Sequence, residues 1–90
     1  MQRIDGLDER SLILEDGFLN VMRWGSSTDR IALSDLGETE LVRDDKKKLF
    51  GDNEERFRMR FGAIVTAIWV PAADEQAARE FAAAVDAARA

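Results

Sequence analysis

Glu55-Arg56-Phe57-Arg58-Met59-Arg60-Phe61-Gly62-Ala63-Ile64-Val65-Thr66-Ala67-Ile68-Trp69-Val70, followed at once by Pro71, is the stretch that decides the fold. From Arg56 to Phe61 charged and apolar residues alternate strictly, the period of a strand with one buried face, so Phe57, Met59 and Phe61 are expected in a core. Beyond Gly62 nearly every position to Val70 is apolar, as in a strand covered on both sides. Ile64, Ile68 and Val70 fall on one face, and Val65, Ala67 and Trp69 on the other. Pro71, the only proline, ends that strand. After it the apolar period changes from two to about 3.6, which predicts a helix from about Asp74 to Ala90 with Ala77, Phe81, Val85 and Ala88 on one side. A small sheet closed by one C-terminal helix is the architecture this order implies.

Upstream the pattern continues as short strands. Ser11 to Glu15 and Phe18 to Trp24 flank Asp16-Gly17, a dipeptide suited to the positive φ angles of a two-residue hairpin turn. Gly25 to Asp29 reads as a polar loop, Arg30 to Ser34 as a third strand, and Gly37 as its end or a bulge. Glu38 to Arg43 makes a fourth strand, and Asp44-Asp45-Lys46-Lys47-Lys48 a charged turn leading into Leu49-Phe50. Gly51-Asp52-Asn53-Glu54 is a further turn. Six or so strands at roughly ten-residue spacing predict an antiparallel meander in a single domain over 1–90, with residues 1–10 either an extra strand or a loose N-terminus. The terminal helix has a thin apolar side of Phe81 and Val85 among alanines, so it must pack against the sheet to be stable.

Ninety residues with 46% hydrophobic and 34% charged composition describe one globular domain. The longest apolar run, Ala63 to Ala73, is about half of the ~20 residues that span a bilayer. With no cysteine and no signal-like apolar segment, the chain is expected in the cytoplasm. A net charge of −5 repels nucleic acid and anionic lipid at long range, so neither nucleic acid nor a membrane is the expected partner. Arginine outnumbers lysine and alanine is abundant, as in proteins from GC-rich bacterial or phage genomes.

Leu12-Ile-Leu-Glu-Asp-Gly-Phe-Leu-Asn-Val21, Ile31-Ala-Leu-Ser-Asp-Leu-Gly37 running into Glu-Thr-Glu-Leu, the Phe-x-Met-x-Phe strand, and a helix carrying Phe81 and then Val85 occur in an order that resembles the bacterial pleckstrin-homology-like domains. The resemblance covers nearly the whole chain from about Ser11. It implies a mainly β fold, a bent antiparallel sheet or small barrel with a C-terminal helix, used as a binding or assembly scaffold and not as an enzyme. The alternative architecture is an α+β sheet with the helix packed on one face.

Chemistry is sparse in the residues themselves. There is no histidine, cysteine or tyrosine, which removes the usual near-neutral proton shuttle and the thiolate nucleophile. Asp44-Asp45 and Glu54-Glu55 are paired carboxylates in turns, where a solvated surface is the simpler reading. Asp52-Asn53-Glu54-Glu55 lacks the spacing of a calcium loop. No cofactor and no metal are expected. Arg56, Arg58 and Arg60 project from one face of a strand and have two possible answers to their mutual repulsion: pairing with Glu38 and Glu40 across the sheet, or an anionic ligand held by guanidinium forks. Trp24, Val65 and Trp69 are the candidates for an interface with a protein partner or a second copy of the chain. The function these readings predict is a non-enzymatic protein-binding or assembly module. Lipid-headgroup binding is the alternative, weakened by the acidic tip, Glu15-Asp16, of the first hairpin.

Overall fold

A computed structural model describes all 90 residues. The chain is mainly β, with two antiparallel sheets followed by one C-terminal helix. The first sheet has the order β1 (Gln2–Asp5), β2 (Arg10–Glu15), β3 (Phe18–Arg23), β4 (Ser26–Ala32). The second has the order β5 (Thr39–Arg43), β6 (Arg56–Phe61), β7 (Ala63–Pro71), and the helix α1 runs over Glu75–Ala88. Every neighbouring pair within a sheet is consecutive in the chain, so the topology is the expected meander.

Asp16 and Gly17 adopt φ of 51° and 79° and join β2 to β3 with Glu15 opposite Phe18. That register sets Leu12 against Val21 and Leu14 against Leu19, all four buried in one layer. The alternation of β6 buries Phe57, Met59 and Phe61 as its sequence requires. Phe81 meets Phe61 edge to face with ring centroids 6.1 Å apart. Along α1 the buried positions are Ala78, Phe81, Ala82 and Val85, and the helix contacts β1, β5, β6 and β7. Small alanines beside Phe81 allow that close approach.

Backbone hydrogen bonds stitch the two sheets at two places. Leu7 donates its backbone N–H to Trp69 O at 2.7 Å, tying the β1–β2 turn to β7. Gly37 donates to Phe61 O at 3.1 Å, where the chain leaves the first sheet and passes the β6–β7 turn. There Gly37 and Gly62 lie backbone to backbone, and a Cβ placed on Gly62 would stand 2.5 Å from Gly37 Cα. Gly62 also has φ of 85°, so this crossing admits glycine at that position and little else.

Of the two readings open for residues 1–10, the extra strand is the one observed, because Gln2–Asp5 pairs in register with Ser11 to Leu14. Four sequence expectations are corrected. Gly25 to Asp29 is not a loop: Trp24-Gly25 forms a second two-residue hairpin turn, and β4 begins at Ser26 as an exposed edge strand that tolerates polar residues. The third strand therefore ends at Ala32, and Leu33–Asp35 is a 3-10 turn. Ala77 and Ala88 are exposed, since the helix is rotated to present Ala78 and Ala82 beside Phe81 and Val85. Finally, β7 is not covered on both faces along its length. Met59 lies opposite Ile68 but Phe61 lies opposite Ala63, so residues 64–67 form a bulge that breaks the alternation. Ile64 and Val65 emerge exposed, while Thr66, Ala67 and Ile68 are all buried. The Thr66 hydroxyl holds the bulge, accepting from Phe61 N at 2.9 Å and donating to Ala63 O at 2.6 Å.

Candidate functional site

The arginines of β6 are engaged inside the fold. Glu40, opposite Arg60 in the β5–β6 register, accepts from Arg58 Nη2 through Oε1 at 2.6 Å and from Arg60 Nη2 through Oε2 at 2.8 Å. One carboxylate thus separates two guanidinium groups. The Arg58 hydrogen bond, with Arg60 on the other oxygen, holds the Glu40 carboxyl below the usual glutamate range against the opposing effect of its partial desolvation. Glu38, the other acid expected in this ladder, precedes β5 and forms no ion pair. Arg56 donates Nε to Asp44 O at 2.8 Å and lies near the Asp44 and Glu54 carboxylates, each at 3.9 Å. The Nε atoms of Arg58 and Arg60 are buried without a hydrogen-bond partner, and the Nη2 bonds to Glu40 are the contacts that answer these two charges within the fold.

Trp69 belongs to this same ladder. Its indole N–H donates to Asp44 Oδ2 at 2.6 Å, and the guanidinium groups of Arg56 and Arg10 lie 5.3 Å and 5.9 Å from its ring centroid. The paired carboxylates are similarly spent on arginine: Asp45 on Arg43, whose hydrogen bond lowers the Asp45 carboxyl, and Glu55 on Arg43 at 3.6 Å. No group of three or more acidic side chains is placed to hold a metal ion.

Trp24 and Val65 lie elsewhere, at the end of the molecule where β3 turns into β4. The bulge in β7 carries Ile64 and Val65 beside the ends of β2, β3 and β4, and a groove of about 350 Å³ opens between them. Arg10, Val21, Arg23, Asp29, Ile64 and Val65 line it. Arg10 and Arg23 are direct cross-strand neighbours, and neither forms an ion pair with a carboxylate. Like charges opposite each other oppose the hairpin unless an anion answers them.

Trp24 follows Arg23 directly and is 74% exposed. Its backbone N–H donates to Glu9 O at 2.8 Å, which binds the β3–β4 turn to the β1–β2 turn. Trp24 has φ of 51° and Gly25 φ of 78°, nearly the angles of Asp16 and Gly17 in the other hairpin. Asparagine, aspartate and glycine suit the first of these positions; a bulky aromatic residue is an outlier there. The sequence named Trp24 and Val65 as interface candidates but concealed what joins them to the rest of this end. Ile64 looked like core because the bulge was not legible, and the Trp24-Gly25 turn was hidden because tryptophan is not a turn former.

The chain is therefore a small two-sheet β domain closed by a helix, with one end that presents exposed apolar side chains on turns held by backbone hydrogen bonds. No protein-family model, curated protein or solved structure matches it.

Proposed function

We infer that this protein is a non-enzymatic binding module that docks an acidic and apolar protein segment against Trp24, Ile64 and Val65. The observation that carries the reading is the backbone of Trp24. A left-handed conformation costs an ordinary residue about 1–2 kcal/mol, and the largely exposed ring recovers little by packing within the fold. A contact outside the chain accounts for an aromatic residue at such a position. Arg10 and Arg23, which line the groove beside Ile64 and Val65 and pair with no carboxylate, supply the charge that an acidic segment would meet.

The four-plus-three strand order with a terminal helix supports the pleckstrin-homology-like reading, in which such domains act as binding or assembly scaffolds. A cysteine-free chain with no helix long and apolar enough to cross a membrane fits the proposed cytoplasmic setting. Lipid-headgroup binding through the β6 arginines is the weaker reading, since Glu40, Asp44 and Glu54 already occupy them.

Affinity capture from a bacterial lysate, with wild type beside Ile64→Glu and Arg58→Ala, tests the docking end. The expected result is a discrete partner retained by Arg58→Ala and lost by Ile64→Glu. A partner captured equally by all three proteins, or lost only with Arg58→Ala, overturns it.

A further inference from the structure

The twelve residues from Asp44 to Glu55 between β5 and β6 carry every lysine in the chain, Lys46-Lys47-Lys48, followed by Leu49-Phe50. Leu49 is 91% and Phe50 85% exposed, the two most exposed large apolar side chains in the molecule. At the base of the loop Lys46 and Glu54 exchange both backbone hydrogen bonds at 2.8 Å, so residues 47–53 form a tip raised on a short ladder. Five acids also lie in the loop, yet four of them face arginines. Asp45 and Glu55 pair with Arg43, and Asp44 and Glu54 with Arg56. Only Asp52 is left among the acids, whereas none of the three lysines forms an ion pair. At the base the acids are held by Arg43 and Arg56, and above them Lys46, Lys47 and Lys48 outnumber Asp52 beneath an apolar crown.

We propose that this tip is a membrane-contact element that seats Leu49 and Phe50 in the interface of an anionic bilayer, with Lys46, Lys47 and Lys48 over the headgroups. The arrangement selects a bilayer over a protein surface for two reasons. Two adjacent apolar side chains at a convex tip need a soft medium that closes around them, whereas a protein partner would have to offer a matching pocket. Lysines on flexible stems, fixed by no hydrogen bond, suit a diffuse field of headgroup charge; a specific carboxylate is better met by an arginine fork. The chain's net charge of −5 opposes approach at long range. At physiological salt that repulsion is screened beyond about 8 Å, so contact depends on the tip itself.

The loop leaves the second sheet at the opposite end of β6 from the Gly62 turn, about 20 Å away along a six-residue strand. Ile64 and Val65 lie just past that turn, so a bilayer held by the loop leaves the docking end free. The element is thus independent of the docking proposal, and either stands if the other fails.

Vesicle co-sedimentation tests it, using phosphatidylcholine alone and phosphatidylcholine with 30% phosphatidylglycerol at about 0.1 M salt. Wild type is expected to sediment with the anionic vesicles only. Each lysine at an anionic surface strengthens binding about five-fold, so Lys46→Gln/Lys47→Gln/Lys48→Gln should weaken it about a hundred-fold. Leu49→Ser/Phe50→Ser should release the protein from the same vesicles with its circular dichroism unchanged, because neither side chain packs in the fold. Absence of anionic-vesicle binding, equal binding to neutral vesicles, or binding indifferent to both variants overturns the proposal. So does a lysine-dependent acidic protein partner found without any vesicle binding.

Discussion

At the scale of single residues, Trp24 separates stability from binding. Trp24→Asn puts into the turn a residue that accepts a left-handed backbone, and the lost ring was solvent-exposed. The variant is expected to be more stable by about 1 kcal/mol, which for a domain of this size raises Tm by about 4–8 °C. Capture of the partner should fall at the same time. A thermal melt and a capture assay on one preparation check both signs, and a lower Tm for Trp24→Asn would show that the ring contributes to the fold. Gly62→Ala acts in the other direction. Its Cβ would strike Gly37 at the crossing of the two sheets, and its φ is positive, so a loss of about 2 kcal/mol or more is expected in a denaturant titration.

Between elements, two contacts decide how the second sheet is held. Phe81 is 3% exposed, seated on Phe61 across the sheet, and Phe81→Ala is expected to cost about 3–5 kcal/mol. Against a total stability of about 5–15 kcal/mol that loss leaves the helix poorly docked, visible as a depressed and broadened melt. The β5–β6 ladder gives a pH dependence. Glu40 has a lowered carboxyl pKa in the folded chain, chiefly from Arg58, and Asp5 is lowered by its hydrogen bonds from Arg3 and then Ser11. A carboxyl depressed on folding stabilises the protein above its unfolded pKa, near 4.3 for glutamate, and the benefit disappears as pH falls through the folded value. Melts from pH 7 to pH 3 should therefore show Tm falling below about pH 4.5, with a shallower fall in Glu40→Gln. An identical acid-side slope in the variant would remove Glu40 from this account. Arg58→Ala should lower Tm slightly, since Arg60 keeps its own bond to Glu40.

For the whole molecule the exposed apolar end is small. It consists of three exposed apolar side chains, Trp24, Ile64 and Val65, room for a short segment. Light scattering on a sizing column at micromolar concentration is expected to return the 10.1 kDa monomer. A species of twice that mass, dissolved by Ile64→Glu, would assign the docking end to self-association. The exposed Ile64 and Val65 and the lysine-bearing loop lie at opposite ends of the second sheet, which has its β6 core face covered by the helix.

What the amino-acid order by itself determined is what repeats with a period or depends on a local backbone rule. The Arg56 to Phe61 alternation, the Asp16-Gly17 turn, the stop at Pro71 and the Phe81-Val85 spacing each bias a few adjacent residues, and the mainly β architecture follows from them. Glu40 as a partner of the arginines was legible for the same reason, since alternate residues on paired strands must share a face. Tertiary structure decided the rest. Whether Ile64 is core or surface depends on a register jump that Thr66 holds through its hydroxyl, and no local period records it. Trp24 enters a left-handed turn because the strands on either side of it pair, and their ladder outweighs the preference of one residue. Trp69 is enclosed by Asp44, Arg56 and Arg10, from three other parts of the chain, so its role was set only when those segments met. Contacts distant in sequence carry no local signature, because their energy exists only after the chain has closed on itself.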